Sequence, residues 1–172
     1  MRLPAVFLAV VTACAVAPAA ASAALPTPKT TTIVPGKSIA GVAVGMSVRR
    51  ALAAWGPGSA CTEATVQDAC YWQGTDRQGN ASFNVVKGKV VQITISTGRK
   101  GNDLVYAGPL QTWKTRKKIR LGARTYAVVR AYPKVRSSGS GPVLGSGNHT
   151  TTFQVSGERI YQINVGAPVS AY

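Results

Sequence analysis

Two blocks of this sequence occur twice, in the same order and at nearly the same spacing. In the first, residues 42–56 read as an extended stretch, a turn at Gly45, a helix N-cap at Ser47 and a helix that Gly56 and Pro57 end. Val48, Ala51, Leu52 and Trp55 fall at i, i+3, i+4 and i+7, one apolar stripe, with Arg49, Arg50 and Ala53 off it. The pattern returns 77 residues later over 119–133. There Gly122 matches Gly45, Tyr132 matches Trp55, the stripe is Thr125, Val128, Val129 and Tyr132, and Pro133 is the stop. The second block, 83–95, aligns without a gap to 153–165, 70 residues on, pairing Phe83 with Phe153, Gln92 with Gln162 and Ile93 with Ile163. Two matched blocks in one order indicate a duplicated unit, which excludes most folds otherwise open to 172 residues.

Alternation at period two marks the second block as strands: Val91, Ile93 and Ile95 on one face, with Tyr161, Ile163 and Val165 as counterparts. Gly88 and Gly157, shifted by one residue, supply the hairpin turns. Before each hairpin the halves diverge. In the first, residues 65–72 predict a strand; in the second, residues 134–148 are rich in Gly and Ser and predict a mobile stretch. The expected fold is α+β, two tandem repeats, each one helix packed on an antiparallel sheet of about three strands. A half of this size has a marginal core alone, so the halves are expected to pack together.

The N-terminus sets the compartment. Met1 and Arg2 precede an apolar run to Ala17, and Ala21-Ser22-Ala23 has the small-residue form of a signal-peptidase site, so residues 1–23 read as a bacterial signal peptide. An alternative is a lipoprotein anchored through Cys14, because Val11-Thr12-Ala13-Cys14 resembles a lipobox. Nothing in the mature chain is long and apolar enough for a transmembrane segment. Export places Cys61 and Cys70 in an oxidising compartment, where one local disulfide is the simple pairing, contributing at most about 2.7 kcal/mol in the chain-entropy account. Residues 24–37, rich in Pro, Thr and Lys, read as a tether. The first repeat then covers 38–98, a linker 99–112 and the second, basic repeat 113–172.

The order Gly45-Met46-Ser47, helix, Trp55-Gly56, Cys61, Cys70 and an aromatic hairpin resembles the repeat of the β-lactamase-inhibitor-protein family. A similar unit occurs in the small BamE/SmpA/OmlA lipoproteins. The resemblance spans about 38–167 and is weaker in the second half, where Ala123-Arg124 replaces Met46-Ser47 and cysteines are absent. It implies helices layered on an antiparallel sheet, no enzymatic activity, and binding of a protein through the sheet face. It also draws attention to the turn 73–80, where Asp76 and Arg77 occupy the tip; Asp is equally an ordinary turn residue.

Counting side chains weighs against catalysis. The chain has 20 Lys plus Arg against 5 Asp plus Glu, and one histidine, His149, in a Gly/Ser loop without a nucleophile elbow. A two-carboxylate mechanism has only Glu63, Asp68, Asp76, Asp103 and Glu158 to draw on; Asp68 and Asp76 are the one pair a hairpin could bring together. Zinc would lack ligands, no phosphate-cradling loop is present, and no metal or cofactor is expected. The remaining signal is charge: from residue 99 onward there are twelve basic residues against two acidic. They are densest at Trp113, Lys114, Arg116, Lys117, Lys118 and Arg120, with Arg124 and Arg130 on the second helix. The expected function is a secreted, non-enzymatic binding module recognising a protein. The alternative is a binder of anionic envelope polymer or lipid, with Trp113 able to stack on a base only nonspecifically. Alternation within 113–120 also suits an edge strand blunted by lysines.

Overall fold

A computed structural model describes residues 24–56, 60–61 and 67–171. The expected leader with Cys14, and also Pro57 and Glu63, lie outside the described residues. Along the chain run β1 (Thr32–Val34), β2 (Ser38–Ile39), β3 (Val42–Ala43), α1 (Val48–Trp55), β4 (Ala60–Cys61), β5 (Gln67–Gln73), β6 (Asn80–Val86) and β7 (Lys89–Ser96). There follow β8 (Gly98–Lys100), β9 (Asp103–Val105), β10 (Lys114–Thr115), α2 (Thr125–Ala131), β11 (Arg136–Ser138), β12 (Gly141–Leu144), β13 (Thr151–Ser156) and β14 (Arg159–Gly166). The fold is α+β.

Eight strands form one continuous antiparallel sheet in the order β11-β12-β13-β14-β7-β6-β5-β4. Four strands follow each helix, one more than the sequence pattern predicts, and the last strand of each set meets the other at the centre. There Thr94 lies opposite Asn164, which is the position 70 residues on. Both inner hairpins carry a bulge at the same place, between Asn84 and Val85 and between Gln154 and Val155. The bulge explains why Val91 and Tyr161 leave the inward row that Ile93, Ile95, Ile163 and Val165 keep: it puts one extra residue on the strand.

The glycine turn before each helix docks on the sheet by the same bonds. Gly45 N–H donates to Val90 O (2.7 Å) and Val90 N–H to Met46 O (2.8 Å); Gly122 N–H donates to Ile160 O (2.8 Å) and Ile160 N–H to Ala123 O (2.9 Å). Gly45 and Gly122 take φ of 83° and 80°, a left-handed conformation that favours glycine. The hairpin turns differ in a way that accounts for the shifted glycine. Lys87 and Gly88 both have positive φ (49° and 71°), as a type I′ turn requires, whereas the 157–158 turn has positive φ only at Gly157 (58°).

Both helices lie on one face, over two inward rows. One reads Phe153, Ile163, Ile95, Ala81, Trp72 across the strands; the other reads Thr151, Val165, Ile93, Phe83, Cys70. All ten are buried. Trp55 closes α1 onto them, 5.1 Å from Trp72 edge to face and 5.9 Å from Phe83, while its indole N–H donates to Ala40 O (3.1 Å). Its counterpart Tyr132 stacks on Phe153 at 6.4 Å. In α2 the inward stripe is Ala127, Val128 and Ala131, not the expected Thr125, Val128 and Val129, and Val129 is 50% exposed. Small alanines seat this seven-residue helix, and its large apolar residues Tyr126 and Val129 turn outward.

Residues 24–37 are not a solvated tether throughout. Strand β1 pairs in parallel with β10 and antiparallel with β2, giving a second sheet ordered β10-β1-β2-β3, and Ile33 is fully buried. The apolar Ile33 flanked by Thr and Val outweighs the Pro/Thr composition around it, because β10 supplies a partner from 82 positions away. The expected linker 99–112 is also structured, as the β8–β9 hairpin and a 3-10 turn at Pro109–Thr112 that buries Leu110. Likewise 134–148 holds β11 and β12, with Pro142 opposite Ser137 near the sheet edge where a missing N–H costs least.

Candidate functional site

The face of the large sheet opposite the helices carries polar rows. One reads Thr152, Asn164, Thr94, Ser82, Tyr71 and the next Gln154, Gln162, Ser96, Asn80, Gln73, with Gln92 and Asn84 paired beyond them. The period-two pleat puts them there, since their strand neighbours are the core rows. None of these side chains is charged, although the chain has formal charge +15. They hold one another: Thr94 Oγ1–H donates to Asn164 Oδ1 (2.9 Å), Gln162 Nε2 donates to the same oxygen (2.9 Å), Asn84 Nδ2 donates to Gln92 Oε1 (3.1 Å), and Tyr161 O–H donates to Gln154 Oε1 (2.8 Å). Tyr71 stands 51% exposed at one side of this face.

Asp76 and Arg77 are exposed, in the turn joining β5 to β6. That turn is pinned. Gly74 N–H donates to Gly79 O (3.0 Å), Gln78 N–H to Thr75 O (2.8 Å), and Arg99 N–H to Asp76 O. A side chain on Gly98 would collide with the Asp76 and Arg77 carbonyls, so glycine there lets the β8 strand press against the tip. Beneath it lies a small polar cleft of about 210 Å³ that includes Asp76, Ser96, Thr97 and Arg99; Thr97 Oγ1 is buried without a hydrogen-bond partner.

Trp113 is not a surface residue. It is 3% exposed and 5.8 Å from Trp55, ring to ring, so it belongs to the core and cannot stack on a ligand. Lys114, Arg116, Lys117, Lys118, Arg120, Arg124 and Arg130 are all exposed. They divide into two groups. Lys117 turns onto α2, donating to Ala131 O with its ammonium 5.0 Å from the centre of the Tyr132 ring. Arg120 and Arg124 instead line a cleft of about 370 Å³ with Tyr106, Tyr126 and Arg159. Arg124 and Arg159 are backbone bridge partners, as Ser47 and Lys89 are in the first half. Arg130 sits in the last turn of α2, where a cation suits the helix dipole, and does not line the cleft. Sequence reasoning overlooked Arg159; its match to Lys89 was the available signal.

Arg159 is fixed in place. Its Nη1 donates to Gly122 O (2.9 Å) and its guanidinium carbon lies 5.9 Å from the centre of the Tyr106 ring. Burial pushes the Tyr106 hydroxyl above the usual tyrosine range, opposed by the Arg159 charge.

The residues weighed for catalysis are dispersed. Asp68 lies near the start of β5 and Asp76 beyond its end, so the length of the strand separates the pair. His149 is exposed, and its Nδ1 meets Gly36 O at 3.1 Å. A carbonyl only accepts, so Nδ1–H is the donor, and the ring ties the N-terminal segment to the second half. Among the described residues no three of His, Cys, Asp and Glu gather where they could hold a metal ion. Cys61 and Cys70 are direct partners in the β4–β5 register. No described helix is long and apolar enough to cross a membrane.

No protein-family model and no curated protein matches this chain. Among solved structures it is similar to an extracellular protein containing an SCP domain from Bacillus anthracis, at 13% identity and a TM-score of 0.49. The match covers 70% of this chain and 43% of that one, so the chain spans less than half of its length.

Proposed function

We propose that this protein is an exported, non-enzymatic binding module, built by duplication of a helix-and-hairpin unit, that recognises a partner protein through the outward face of its eight-stranded sheet. The observation that carries the reading is the absence of charge from the outward rows of a strongly basic chain. Charged side chains are depleted from the cores of protein interfaces, where amides, hydroxyls and tyrosines make directional contacts. The mutual hydrogen bonds of Thr94, Asn164, Gln162, Asn84 and Gln92 hold these groups in order before a partner arrives, which lowers the entropy lost on binding. Tyr71 is the rigid aromatic anchor at the rim. Matching bulges, matching turn bonds and the Thr94–Asn164 pairing support the duplication. The same layout supports the resemblance to the inhibitor family, and the A-x-A leader supports export.

Capture from the organism's own envelope proteins with purified protein, at low and high salt, tests this. A partner retained at high salt and lost with Ser82→Arg, a variant that places a charge mid-face, supports the reading. Capture that vanishes with salt and ignores Ser82→Arg overturns it. A second reading, attraction to anionic envelope components, is favoured by the gathering of Arg120, Arg124 and Arg159 in one cleft.

A further inference from the structure

We infer that the cleft lined by Tyr106, Arg120, Arg124, Tyr126 and Arg159 is a binding site for a phosphate group. Three arginines share about 370 Å³, and none of the cleft's lining residues is acidic. Two of them, Arg124 and Arg159, are directly opposed on the backbone, an arrangement of like charges that costs stability unless an anion lies between or beside them. Glu158, next to Arg159, is exposed in the hairpin turn and lines no part of the cleft.

The matched positions of the two halves sharpen the point. At the places of Arg120, Arg124 and Arg159 the first half has Ala43, Ser47 and Lys89, although the turn bonds Gly45–Val90 and Gly122–Ile160 are the same. The backbone therefore does not require arginine at any of the three, and Ala43 and Ser47 show that it accepts small uncharged residues at two. Their shared location is a property of the second half alone.

The chemistry fits an oxyanion. Guanidinium groups present forked N–H donors to phosphate oxygens. Arg159 is oriented in advance by Gly122 O and Tyr106, so little side-chain freedom remains to be lost on binding. Tyr106 keeps its proton through the neutral range, as burial favours, and its O–H is a fourth donor. Tyr126, 64% exposed, offers a ring to whatever group the phosphate carries.

A phosphate of this kind is found on a lipid headgroup or on a soluble phosphoester. Titration calorimetry with glycerol phosphate, and sedimentation with phosphatidylglycerol vesicles, separate these sources. Glycerol phosphate is expected to saturate one site. Displacement of bound protein from vesicles by glycerol phosphate would assign the headgroup as a source; binding of glycerol phosphate without vesicle retention would assign the soluble ester. Arg120→Gln with Arg124→Gln should weaken glycerol phosphate binding by about tenfold or more. Arg49→Gln with Arg50→Gln removes the same charge from α1 and should change it by no more than about twofold. Both double variants should melt as the parent does, because neither removes a buried contact. Equal weakening by the two double variants, or no saturable binding of glycerol phosphate, overturns the inference.

Discussion

Trp113 lies in the most basic stretch of the chain, yet its indole packs on Trp55 and only 3% of it meets solvent. Its neighbours show why. Thr115 and Ile119 are buried like Trp113, while Lys114, Arg116, Lys118 and Arg120 point outward, so the segment alternates about a turn at 116–118. Trp113→Ala is expected to cost about 3–5 kcal/mol, whereas Lys114→Ala should stay within about 0.5 kcal/mol; thermal or urea unfolding distinguishes them. The alternation was legible in the sequence as an edge strand, but the ring that receives Trp113 was not, because Trp55 is remote in the chain. Tyr106 carries a prediction in pH. Its folded-state pKa is raised by burial, so its contribution to stability is complete below the ordinary tyrosine range and is lost as pH rises through the raised value. Tyrosinate absorbance should show one late-titrating tyrosine, absent in Tyr106→Phe. In Arg159→Gln it should titrate later still, since the cation that opposes the shift is gone.

Among the elements, the paired hairpins were the most legible, because period two and a gapless 70-residue match fix their register from local sequence. The helix stripes were legible in α1 and rotated in α2, where three alanine-sized contacts give less signal than the large exposed residues Tyr126 and Val129. Strand β1 was read as a tether because its partner lies beyond an entire repeat; no local window contains that information. Ile33→Ala should therefore destabilise the protein by about 2–5 kcal/mol, the cost of a core cavity, where a tether residue would cost nothing measurable. The register of β4 on β5 places Cys61 against Cys70, the backbone arrangement expected of a disulfide. Thiol titration of the unreduced mature protein is expected to find neither cysteine free, and reduction should lower the melting temperature through the loss of at most about 2.7 kcal/mol.

At the scale of the whole molecule, charge and pairing are arranged independently. The outward rows of the sheet are neutral while the basic residues collect on turns, on α1 and on the second half, a separation that linear composition conveys only as an excess after residue 99. The face was legible only through the resemblance; its neutrality emerges when strands are set in register. The Asp76 turn was visible as a tip, but the glycine contacts that pin it were not, since they come from β8 and the residues before Leu110. The pairing of β1 with β10 has a further consequence for the time course of folding. Thr32 cannot find its strand partner until Lys114 has been synthesised, and the central seam waits for Gly166, six residues from the end. Contacts this distant in sequence form slowly. Neither sheet can close while the chain is still emerging from the ribosome, so a chain bound for export arrives at the translocation channel still threadable and completes its structure on the far side.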